Sequence, residues 1–142
     1  MTEGVAIRVA ASDEHGLAQA AYRAWDYDGI IEPDAVVFVA ERDGAMIGIV
    51  RKTVEHGTVM LRGMHIAPTE RRQGIGTQLL RAFERTLDTR DCLCIPYTHL
   101  VSFYGLAGFT PLEEATAPAF LQERLANYRA RGRSVLVMRR RG

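Results

Sequence analysis

The chain has 142 residues, 47% of them hydrophobic and 25% charged, and its 18 Lys+Arg against 17 Asp+Glu give a formal net charge of +1. That length predicts one domain, residues 1–142, with enough chain to bury a core. The near balance of charge offers no electrostatic reason to expect a nucleic-acid partner, and the longest basic run is Arg139-Arg140-Arg141. No apolar run of signal-peptide or membrane-span length occurs, so no membrane partner is expected.

In chain order, Val5 to Ala10 reads as a first strand. Ser12 offers a cap to a helix running to about Trp25. Asp26 to Asp34 carries mixed signals, and its acids would suit a cationic amine on Coulomb grounds. Val36–Glu41, Met46–Val54 and Thr58–Ile66 form a meander of strands, with Asp43-Gly44 and Glu55-His56-Gly57 at its turns. Ala67-Pro68-Thr69 breaks the third strand. A helical pattern follows, roughly Gly74 to Leu87, with Ile75, Leu79, Leu80, Phe83 and Leu87 on one apolar face. Cys92–Ile95 is a short, wholly apolar strand, as expected of a buried one. Thr98 offers a cap to a helix over His99 to Leu106. Phe109–Leu112 is extended, a helix opens at Ala117-Pro118-Ala119-Phe120, and Ser134–Met138 is a last strand.

The segment Glu70-Arg71-Arg72-Gln73-Gly74-Ile75-Gly76-Thr77 joins a strand to a helix through a glycine turn. The first-turn N–H groups of a helix lack intrahelical acceptors, and the helix dipole adds partial positive charge, so the turn suits a phosphate or pyrophosphate. The spacing fits neither Gly-x-x-x-x-Gly-Lys-Ser/Thr nor Gly-x-Gly-x-x-Gly, where Leu79 replaces the third glycine. Cys92 and Cys94, two apart in a strand, are poorly placed for a disulfide and too few for a zinc site. Read as free thiols, they suit a reducing cytosol, hence a cytoplasmic location.

Arg71-Arg72-Gln73-Gly74-Ile75-Gly76 resembles the Gln/Arg-x-x-Gly-x-Gly/Ala motif of the GNAT (N-acetyltransferase) superfamily. Phe103-Tyr104-Gly105-Leu106-Ala107-Gly108-Phe109 resembles that family's Phe-Tyr-x-x-x-Gly-Phe signature, in the right order and separation. The resemblance covers roughly Ala35 to Leu112. It implies an α/β fold (α+β): a mixed, mostly antiparallel central sheet of about six to seven strands, flanked by about four helices and splayed at the strand before the glycine turn. It implies acetyl-CoA as cosubstrate, with Met64, His65 and Ile66 along the pantetheine and Arg71, Arg72, Gln73, Gly74, Ile75, Gly76 and Thr77 around the pyrophosphate. It implies Tyr104 as general acid to the leaving thiolate.

The chain departs from the family at the general base. The positions where relatives carry a glutamate are Met60 and about Cys92 here, and a frequent asparagine is Tyr97. His65 and His99 are the nearest remaining candidates, because histidine titrates near neutral pH. The reading is an acyltransferase moving acetyl from acetyl-CoA to a primary amine, small-molecule or peptide, by direct attack and with no metal. The alternative is a non-catalytic CoA-binding sensor with the same fold. A homodimer through the last strand or helix is open on sequence grounds.

Overall fold

The computed structural model describes residues 4–142. Seven strands, β1 (Ala6–Val9), β2 (Val36–Arg42), β3 (Ala45–Glu55), β4 (Thr58–Ile66), β5 (Cys92–Cys94), β6 (Thr110–Pro111) and β7 (Met138–Arg140), form one sheet in the order β1-β2-β3-β4-β5-β7-β6. Only β4 and β5 pair in parallel. The helices are α1 (His15–Ala24), α2 (Ile75–Glu84), α3 (Val101–Gly105) and α4 (Ala119–Ala130). The expected α/β sheet with four helices is thus the observed one.

Strand alternation sends successive residues to opposite faces. Phe38, Val50, Val59 and Leu61 join Ile75, Leu79, Leu80 and Phe83 of α2 and Tyr104 and Ala107 next to them. Val37, Val39 and Ile49 meet Ala18 and Tyr22 of α1 on the other face, where Met60, Leu93 and Val137 meet Leu121 of α4. Both meander turns are mirror-image turns: Asp43 and Gly44 have φ 52° and 80°, His56 and Gly57 φ 51° and 78°. Such turns match the twist of an antiparallel pair.

Several expected boundaries shift. The Ser12 segment is a 3-10 turn, Ser12–Glu14, and its cap is the Glu14 carboxylate, which accepts the Ala11 N–H at 2.8 Å. Thr98 lies in another 3-10 turn, Thr98–Leu100, and makes no capping bond to the helix after it. Asp26–Asp34 is coil. The last strand begins at Met138 rather than Ser134. Before it, Val135 makes a single bridge to Tyr97, Leu136 donates to Pro96 O and Leu112 donates to Val137 O. The apolar Val-Leu-Val run is therefore read correctly as buried chain, but its backbone serves two neighbours in turn instead of one ladder.

β4 is irregular where it matters. Its register with β3 runs Arg51↔Arg62 and then Ile49↔His65, so β4 holds one extra residue, a bulge at Gly63-Met64. Gly63 has φ 65°, and a Cβ there would stand 2.5 Å from the Tyr22 hydroxyl. That hydroxyl donates to Gly63 O at 2.7 Å. Pairing of β4 with β5 stops at Met60↔Leu93, so beyond it the two strands diverge.

Tyr22→Phe leaves the Gly63 carbonyl without its donor in a packed site. A loss of about 1–2 kcal/mol is expected, measured as a lower urea midpoint at unchanged m-value.

Candidate active site

The divergence of β4 from β5 opens a cavity of about 550 Å³. Its walls come from β4 (Met60 to His65), from Cys94 to Tyr97 after β5, from Leu100 and Tyr104, from Asp26–Asp28 after α1, and from Arg124, Tyr128, Arg133 and Val135. From Arg62 to Ile66, β4 has no strand partner on this side. Met64 and Ile66 pack toward the α2 face of the sheet. The bulge turns His65 to the opposite face, as its phase in the strand predicts. There its ring stacks on Tyr27 at 5.0 Å and on Trp25 at 6.0 Å.

The glycine turn stands at the end of the same strand. After Ile66, a 3-10 turn over Pro68–Glu70 leads to Arg71, Arg72 and Gly74, which is the N-cap of α2 with φ 82°. Arg72 is also left-handed, φ 66°. The first helical bond is Gln78 N–H to Gly74 O, and the N–H groups of Gln73 through Thr77 find no backbone acceptor among the described residues. These converging donors at a helix N-terminus fit a pyrophosphate. Arg71 and Arg72 are exposed beside them. Arg71 is tied to the strand as well: its Nε donates to Ile66 O and its Nη2 to His65 Nε2, both at 3.2 Å. Gln73 and Glu70 are fastened by Arg42 of β2, which fixes the turn to the sheet.

The second motif packs against the first. A Cβ on Gly76 would touch the Phe103 ring at 3.4 Å, while Tyr104 lies in the cavity wall. Burial pushes the Tyr104 phenol well above its ordinary value, so the proton stays on it at any working pH. Among the described residues nothing hydrogen-bonds its hydroxyl.

His65 titrates below its ordinary 6.5, first because it is partly desolvated and second because the Arg71 charge lies close. The ring is therefore neutral at neutral pH. His99 is elsewhere: exposed, stacked on Tyr97 at 5.7 Å and outside the cavity lining. Met60 and Cys94 line the cavity, and Cys92 is buried behind it with its thiol pushed up to about 12 by burial. Neither cysteine has the exposed, acidified thiol of a nucleophile.

Four arginines near the cavity were not legible as site residues. Arg51 is 2% exposed, donates to Ile30 O at 2.5 Å and approaches Glu32 Oε1 at 3.5 Å. Arg62 donates to Glu32 Oε2 at 3.0 Å, and Glu55 lies between Arg62 at 3.4 Å and Arg124 at 2.5 Å. Burial alone would raise the Glu55 carboxyl, but the hydrogen bonds from Arg124 and Thr53 hold it below its ordinary value. Arg133 lies over the Tyr128 ring at 5.4 Å. Arginines interrupting the apolar runs of β3 and β4 were the available signal. Those of α4 and the segment after it carried none. Among the described residues no helix is long and apolar enough to cross a membrane.

This arrangement agrees with what comparison finds. A family model described as an acetyltransferase (GNAT) domain matches residues 33–111. The chain belongs to the GNAT acetyltransferase family. No curated protein matches it. Among solved structures it is similar to N-acetylglutamate synthase from Neisseria gonorrhoeae complexed with coenzyme A and N-acetyl-glutamate, at TM-score 0.71 and 18% identity, over 96% of this chain and 35% of that one. The chain thus spans about a third of that synthase. It is also similar to the ribosomal-protein-S18-alanine N-acetyltransferase from Escherichia coli, with TM-score 0.69, 14% identity and coverage of 96% and 93%. A third is the PaiA N-acetyltransferase from Thermoplasma acidophilum in complex with coenzyme A, with TM-score 0.64, 15% identity and coverage of 97% and 99%. At these identities the likeness speaks for the fold.

Gly74→Glu puts a side chain on a left-handed residue, at a cost of about 1 kcal/mol or more, and a carboxylate among the free N–H groups. Calorimetric titration is expected to show acetyl-CoA affinity lowered at least tenfold, with the far-UV spectrum retained.

Proposed function

We propose that the protein is an N-acetyltransferase that moves acetyl from acetyl-CoA to a primary amine by direct attack within a ternary complex. The observation that carries this reading is the convergence, at one end of β4, of a donor-rich glycine turn, an unpaired strand edge and a protonated tyrosine in the wall of one cavity. Acetyl-CoA supplies the acetyl group as an activated thioester. The N–H groups from Gln73 to Thr77 would hold the pyrophosphate, with Arg71 and Arg72 adding charge-assisted bonds. The free edge at Met64, His65 and Ile66 would align the pantetheine, and an N–H there would polarise the thioester carbonyl.

Tyr104 is the general acid of this reading. Its phenol is kept neutral by burial, so it has a proton to give, and the same desolvation raises the proton affinity of a thiolate departing beside it. His65 is the base that fits best, directly or through water: it lines the cavity and is neutral at working pH, whereas His99 lies outside. Its Nε2 lone pair is taken by Arg71 in the structure described. A pyrophosphate that draws Arg71 away would release it, which makes acetyl-CoA the natural first ligand.

The buried Met60 and Cys92, where relatives carry a glutamate, favour a second reading, a CoA-binding sensor without turnover. An amine panel assayed by thiol release separates the two. Tyr104→Phe is expected to lower kcat by about 10²-fold with acetyl-CoA binding kept; an unchanged kcat removes the acid role. In wild type, kcat/KM is expected to fall on the acid side through a pKa below 6.5, the ordinary histidine value. His65→Gln should abolish that limb, and Arg71→Ala should move it upward by removing the neighbouring like charge.

A further inference from the structure

We propose that the acceptor amine carries a carboxylate close by, as an α-amino acid or a very short peptide does, and that Arg133 binds that carboxylate with Arg62 and Arg124 behind it. The proposal rests on the acetyl-transfer reading and names the substrate class of the same cavity.

The charges of the wall point this way. Three arginines line the cavity, Arg62, Arg124 and Arg133, against two carboxylates, Asp26 and Asp28, both exposed. Behind the lining, the guanidinium groups of Arg51, Arg62 and Arg124 share two carboxylates, Glu32 and Glu55. The cluster keeps one positive charge in excess. Its hydrogen bonding is incomplete: among the described residues the donors Arg124 Nη1 and Arg51 Nε are buried without an acceptor, and one acceptor, Glu32 Oε1, is buried without a donor. Counting Arg133 and the two aspartates, four arginines face four carboxylates, but Asp26 and Asp28 are exposed and solvated, so the partly desolvated part of the wall carries the positive excess and favours an arriving anion over a second cation. Of the acids in the loop that would suit a cationic amine, Glu32 is taken up by Arg51 and Arg62, which leaves the solvated Asp26 and Asp28 at the cavity.

Arg133 is the member free to meet a ligand. Its side chain is 34% exposed, and its one ion-pair partner among the described residues is Asp28 at 3.9 Å, itself 80% exposed. A contact of that length between solvated groups holds little. The Tyr128 ring beneath Arg133 at 5.4 Å orients the guanidinium plane, and the Tyr128 hydroxyl lies 3.5 Å from Arg62 Nη2. A guanidinium so fixed matches a carboxylate with two parallel N–H bonds.

Two further constraints agree. The cavity of about 550 Å³ must hold the thioester end as well as the acceptor, which leaves room for a small molecule. The α-amine of a peptide deprotonates near 8 against about 10.4 for a lysine side chain, so the amine of a short peptide suits a site whose base is a histidine and not a carboxylate.

The test uses matched pairs: small α-amino acids and short peptides against their carboxamides, with a diamine as the cationic control. Acetylation is followed by thiol release at saturating acetyl-CoA, on wild type, Arg133→Gln and Arg133→Lys. The acids are expected to exceed the amides at least tenfold in kcat/KM. Arg133→Gln should collapse that ratio toward one through KM, and Arg133→Lys should restore part of it, while acetyl-CoA affinity by calorimetry stays within twofold. Amides or diamine acetylated as well as the acids by wild type overturn the proposal, as does a ratio that Arg133→Gln leaves untouched. If acetyl-CoA binds but no amine turns over, the transfer reading fails by itself. Titration of the CoA-loaded protein with N-acetyl amino acids and their amides then decides the carboxylate site: preference for the acid, lost in Arg133→Gln, supports it, and equal or absent binding overturns it.

Discussion

One hydrogen bond sets the geometry of the cleft. The Tyr22 hydroxyl, buried on α1, reaches across to the carbonyl of Gly63 in the middle of β4. It holds the strand in a bulge that a side chain at Gly63 would not permit. The bulge shifts the alternation of β4 by one residue. Leu61 faces the α2 core, yet Met64 and Ile66 face it too, and His65 is turned toward Trp25 and Tyr27. Bulges bend and twist the strand that carries them. Here that bend coincides with the point where β4 leaves β5, so the same local device makes the opening and aims the histidine into it.

The glycine turn depends on this strand in a second way. Its position is fixed by where β4 ends, and its orientation by Arg42, which binds Glu70 and Gln73 from the neighbouring β2. Phe103 then seals the inner side of the turn at Gly76. This contact explains why two motifs separated in sequence occur together. The residue next to Phe103 is thereby delivered to the cavity as Tyr104, with burial keeping its proton in place.

Much of this was legible from residue order. Period-two runs, mirror-turn dipeptides and the apolar face of α2 are local signals, and they marked β2 to β4, both turns and the glycine turn before α2. The errors have physical causes. The Ser12 cap was misassigned because the turn begins one residue earlier, at Ala11, where the Glu14 carboxylate reaches back to the Ala11 N–H. The last strand was misplaced because Ser134 to Val137 bonds in turn to two different neighbours, a pairing no periodicity encodes. The bulge at Gly63 left only a glycine as its trace. The arginine wall was not legible as a unit because its members come from β3, β4, α4 and the segment beyond, and only the tertiary fold brings them together.

That wall also bears on the base proposed for this chain, a histidine in place of the glutamate that the family resemblance implies. A buried carboxylate at Met60 would need desolvation to be offset by a partner, and the guanidinium groups in the same cavity wall are those of Arg62 and Arg124. Such a carboxylate would join the ion-pair cluster and be held ionised and hydrogen-bonded, as Glu55 is. A carboxylate so held is a poor proton acceptor. A neutral imidazole on the far side of the bulge escapes the cluster: its near charge is Arg71, which belongs to the anion site and not to the wall. In the proposed reading, the positive charge that would select the acceptor and the base that would deprotonate it are kept apart on one strand, Arg62 before the bulge and His65 after it. A separation of this kind lets a cationic pocket and a general base share a cavity without the first disabling the second.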